Sequence, residues 1–152
     1  MNNQFEVIDQ KEQPVISIRK TTNMAGLQQE LGHAFMAVTQ YLAELGETPV
    51  GSVFAAYYNM DMEHLDVEMG IPVSKPLAGK GEIAAGYIPA GKQVSTVHKG
   101  PYTQMEGVYN GLTEWMKTNG HIPTGVVYEF YLNSPMEVPE SELLTKIVFL
   151  VK

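Results

Sequence analysis

The chain has 152 residues, 44% of them hydrophobic and 18% charged, a balance that suits one folded domain and not a disordered segment. Ten Lys and Arg against seventeen Asp and Glu leave a net charge of -7, which disfavours nucleic acid as a partner and favours cations. The chain has no cysteine, MNNQFEV carries no leader pattern, and no apolar run is long enough to span a bilayer. A cytoplasmic protein without disulfides, thiolate chemistry, Cys-ligated zinc or a membrane partner is therefore expected.

In chain order, Phe5 to Ile8 and Val15 to Lys20 read as strands. A helix follows, with an apolar stripe of Leu31, Ala34, Phe35, Val38, Tyr41 and Leu42, and it closes at Gly46. Val53 to Tyr58 and Leu65 to Met69 are the next strands, and Pro72 to Gly81 is a crossover. The second half repeats this order. Ile83 to Ile88 and Val94 to Lys99 are strands, and a helix carries Met105, Val108, Tyr109, Leu112, Trp115 and Met116 up to Gly120. Val126 to Leu132 and Leu144 to Val151 close the chain, separated by turn material from Asn133 to Glu142.

The two helical stripes are related by a constant offset of 74 positions (120 − 46), which also pairs Pro49 with Pro123, Gly51 with Gly125 and Tyr57 with Tyr131. The expectation is an α+β domain over residues 1–152, made of two ββαββ units. Repeat 1 runs from about 1 to 75 and repeat 2 from about 80 to 152, with a pseudo-twofold axis and a ligand cleft between the copies.

The segments HKGPY (98–102), EWMKTNG (114–120), YEFYLNSP (128–135) and LLTKIVFLV (143–151) resemble the gyrase-inhibitory-protein-like (GyrI-like) superfamily. That superfamily includes effector-binding domains of AraC-type and MerR-type multidrug regulators. The resemblance implies a duplicated α+β sheet with a ligand groove, and a glutamate at the groove floor that pairs with cationic aromatic drugs. Glu129 holds that position. Family regulators carry a DNA-binding domain beside this module. None is recognisable in this chain, so it is expected to stand alone and not to contact DNA itself.

The residues around Glu129 admit two readings. Strand alternation puts Val127, Glu129 and Tyr131 on one face, which an antiparallel sheet can leave in water. The equivalent face of the first copy, Val53, Ala55 and Tyr57, is uncharged, which fits a pocket with one acid in it. Tyr57 and Tyr131 are the expected walls, able to hold a cation over their ring faces. Trp115, Phe35 and Tyr109 lie on the apolar stripes and are candidates either for core packing or for the lining of the site, and Tyr102 is a candidate for closing it.

Asp61, Glu63, His64, Asp66 and Glu68 match no calcium-loop or HExxH spacing and read as a solvated acidic hairpin edge. No metal or cofactor is expected. The leading function is a module that senses or sequesters lipophilic, cationic aromatic molecules, with a transcription factor or another protein as a potential partner. The alternatives are a hydrolase of electrophilic small molecules that uses the same acid, and a protein-binding role like that of a gyrase inhibitor.

Overall fold

The computed structural model describes residues 4–152, so Met1, Asn2 and Asn3 of the segment read for a leader lie outside the described residues. The expected elements form in the expected order. The strands are β1 (Glu6–Gln10), β2 (Gln13–Thr22), β3 (Phe54–Tyr57), β4 (Leu65–Pro72), β5 (Ala84–Ile88), β6 (Gly91–Lys99), β7 (Pro123–Tyr131) and β8 (Leu144–Val151). The helices are α1 (Met24–Glu44) and α2 (Met105–Thr118). The fold is α+β, with every described strand pairing antiparallel.

Both helices stop for the same local reason. Gly46 and Gly120 adopt φ of +71° and +76°, a left-handed conformation that costs a side-chain-bearing residue energy. The chain can then fold back, so that the Glu47 amide donates to the Leu42 carbonyl and the His121 amide to the Met116 carbonyl. At the other end of α1, the Asn23 side chain accepts from the Gly26 amide at 2.8 Å.

Two compact units result. In the Lys11–Ala90 unit the strand order is β3-β4-β2-β5. Ile16, Ile18, Val67 and Met69 are buried in this unit, as are Ala34, Val38 and Leu42 of α1.

The other unit consists of the segment ending at Gln10 and Gly91–Lys152, with strand order β7-β8-β6-β1. Its core is one face of that sheet (Val94, Val127, Ile147, Phe149 and Val151) packed on Met105, Val108, Leu112 and Met116 of α2. The compact units are not the two sequence halves. β1 pairs with β6, and β5 with β2. Periodicity marks a segment as a strand, but the choice of partner is made by edges that come together only in the folded chain. Among the described residues, no helix is long and apolar enough to cross a membrane.

Candidate ligand-binding site

The site is built on the β7-β8-β6 sheet of the second unit. The pairing register places Glu129 opposite Ile147, which is itself opposite Thr96. Tyr131, Thr145 and His98 form the next row, and Val127, Phe149 and Val94 the row on the other side. Directly paired residues share a face, so Glu129 lies on the face that α2 covers. Its side chain is partly exposed there.

Two tyrosines hold the Glu129 carboxylate. Tyr131, two residues along the same strand, donates its hydroxyl to Oε1 at 2.7 Å. Tyr109, from α2, donates its hydroxyl to Oε2 in a short hydrogen bond. The helix supplies this second donor because Tyr109 flanks the buried stripe of Met105, Val108 and Leu112, which directs it toward the sheet. Its ring also packs on Phe149 at a centroid distance of 5.7 Å. Tyr102, from the 3-10 turn Tyr102–Gln104 that leads into α2, meets the Tyr131 ring edge-on at 5.9 Å.

Burial pushes the Glu129 carboxyl above its ordinary range, and the hydrogen bonds from Tyr109 and Tyr131 offset part of that rise. Burial and the Glu129 charge also push the Tyr102 phenol up. The result is a half-buried acid flanked by three tyrosines, with no cationic side chain among the groups that shift it.

Other expected residues take different places. Trp115 sits six residues beyond Tyr109 in α2, about 9 Å along the axis, where its ring packs against Phe5 and stacks on His121, each at 5.6 Å. Phe35 on α1 and Tyr57 on β3 are half-buried residues of the Lys11–Ala90 unit.

The acidic hairpin contains no converging group of three His, Asp or Glu side chains among the described residues. Asp61 caps its own turn by accepting from the Glu63 and His64 amides, and Asp66 is held by both Nε and a terminal nitrogen of Arg19. Glu68 departs from the solvated-edge reading. It accepts from Ser17 and from Tyr58, each at 2.5 Å, because β2 and β4 pair side by side and Tyr58 follows β3 on the same face. Nothing in the spacing of Ser17, Tyr58 and Glu68 announces that contact.

A raised carboxyl has a consequence for stability. The folded state binds the Glu129 proton more tightly than the unfolded chain does. Its stabilising contribution is therefore full below the unfolded carboxyl range and is lost as pH rises through the folded value. Glu129→Gln, neutral at every pH, is expected to melt above the wild type at about pH 8, with the gap closing toward about pH 4. Thermal melts of both proteins across that range check the sign.

A model of the GyrI-like small molecule binding domain matches residues 3–152. The chain belongs to this family. The GyrI-like chain superposes on the crystal structure of the EcmrR C-terminal domain with a TM-score of 0.86 at 24% identity, covering 100% of this chain and 99% of that one. It also matches EcmrR in a complex with DNA, with a TM-score of 0.84 at 25% identity, and there it covers 99% of itself but only 57% of the EcmrR chain. A third similar structure, SAV2435 bound to tetraphenylphosphonium, has a TM-score of 0.63 at 11% identity and is covered to 94%. No curated protein sequence matches the GyrI-like chain.

Proposed function

We propose that this GyrI-like domain binds lipophilic, cationic aromatic molecules through Glu129 and acts as a sensor or a sequestering module. The observation that carries the reading is the Glu129 carboxylate, half-buried on the helix-covered face and held by two neutral tyrosine hydroxyls. A lipophilic cation has its charge spread over or shielded by carbon, so it gives up little hydration when it enters. It also supplies the counter-charge that the acid lacks, and tyrosine faces add about 0.5–2 kcal/mol each by cation–π attraction.

Tyr109, Tyr131 and Tyr102 are the proposed contacts beside Glu129, and Trp115 is a fourth in the same unit. Phe35 and Tyr57 are the proposed ligand-contacting aromatics of the Lys11–Ala90 unit. The tetraphenylphosphonium bound to SAV2435 is consistent with this ligand class.

The test uses the sole tryptophan, Trp115, as reporter. Titration with tetraphenylphosphonium is expected to give saturable quenching or a shift of Trp115 emission, and neutral triphenylphosphine oxide to bind far more weakly. Equal affinity for the two sinks the reading. A carboxyl with a raised pKa beside phenols also suits general-base hydrolysis of an electrophile. In that case an electrophilic probe is turned over catalytically without accumulating as a complex.

A further inference from the structure

Thr145 sits at the centre of the row next to Glu129, opposite Tyr131 on one side and His98 on the other. The residue is 0% exposed. Its Oγ1 is the one buried side-chain nitrogen or oxygen without a hydrogen-bond partner among the described residues. Neighbours on the same face are provided for. The Thr96 hydroxyl donates to the Gln4 carbonyl at 2.7 Å, and His98 Nε2 lies 3.0 Å from the Pro101 carbonyl. Buried polar atoms are almost always paired, and an unmatched hydroxyl in a core strand costs stability that valine, of nearly the same shape, would not.

We infer that Thr145 is a specificity-determining residue of the site centred on Glu129. Its hydroxyl hydrogen-bonds a polar group on the ligand and so selects cations that carry an amine or a carbonyl on their aromatic frame. This rests on the proposed function of Glu129. Tyr131 and Thr145 are directly paired across β7 and β8, which brings their Cβ atoms to about 4.5–5.5 Å, while Glu129 and Thr145 are diagonal neighbours at about 7–8 Å. Thr145 is closed off as the structure stands, so in the proposed complex the ligand ring takes the place of the Tyr102 edge against Tyr131 and thereby reaches the Thr145 hydroxyl. The cationic centre then sits near Glu129 and the polar group about one ring away. A hydroxyl can donate or accept, so both amines and carbonyls are served.

The test compares tetraphenylphosphonium, which has no hydrogen-bonding group, with rhodamine 6G, a delocalised cation bearing secondary amines and an ester. Both are titrated against the wild-type chain, Thr145→Val and Thr145→Ser. The expected result is a loss of about tenfold in rhodamine 6G affinity in T145V, with tetraphenylphosphonium unchanged within about twofold. T145S keeps the hydroxyl and is expected to retain rhodamine 6G binding. The T145V thermal midpoint, at or above that of the wild type, shows that the variant is folded.

Unchanged rhodamine 6G affinity in T145V overturns the inference, and so does an equal loss for both cations. A wild-type chain that binds tetraphenylphosphonium but not rhodamine 6G overturns this inference alone. Binding of neither overturns the Glu129 reading, and this one with it.

Discussion

Glu129→Gln is expected to weaken tetraphenylphosphonium binding by about 3 kcal/mol, on the order of a hundredfold or more in Kd. The amide keeps the size of the carboxyl and can still meet the Tyr109 and Tyr131 hydroxyls, so the loss isolates the charge. A cation brought against a neutral side chain is partly dehydrated and uncompensated, the condition under which breaking an ion pair is most costly. The lower end of the range for broken buried pairs applies because Glu129 is half-buried and solvent screens part of the attraction. Triphenylphosphine oxide binding should change by less than roughly threefold. Fluorescence or calorimetric titration of both ligands against both proteins decides it. A parallel loss for the neutral ligand would mean that the substitution had disturbed the shape of the site and not its charge.

Affinity for a permanent cation is also expected to rise with pH through the carboxyl's elevated range. Burial raises the Glu129 pKa in the free protein, so a protonated fraction persists at pH values where a surface glutamate would be fully ionised. Only the ionised form attracts the ligand, so bound cation pulls the pKa back down and binding releases a proton within that window. Below the free-protein pKa the affinity should fall by up to about tenfold per pH unit. Tetraphenylphosphonium does not titrate, so the slope belongs to the protein. The groups that face Glu129 are the phenols of Tyr102, Tyr109 and Tyr131, and His98 lies one row away on the same face. Measuring Kd from about pH 8 to about pH 5 in the wild type and in E129Q separates them. A slope that survives in E129Q assigns the proton to another group and removes Glu129 from the role.

Much of this protein was legible from residue order because local rules are written along the chain. The i, i+3, i+4, i+7 stripes of α1 and α2 become their buried faces, with Val38, Leu42, Leu112 and Met116 at their centres. The glycines at 46 and 120 end the helices because only a residue without a side chain takes that conformation cheaply. Glu129 stood out because a lone acid in a strand of valines and tyrosines is costly unless something uses it.

Partner choice was not legible. That β1 joins β6, that Tyr109 reaches across from α2 to share Glu129 with Tyr131, and that Thr145 is left with no partner among the described residues all depend on pairs distant in sequence. Thr145 in LLTKIV carries no signal of its own, since one threonine among β-branched neighbours is ordinary strand material. Composition, periodicity and turn residues alone determined the α+β class, the element order and the one conspicuous acid. Tertiary structure decided which face that acid occupies and which hydroxyls meet it. Strand register and helix docking are set by burial summed over the whole unit, and no local stretch of residues encodes that sum.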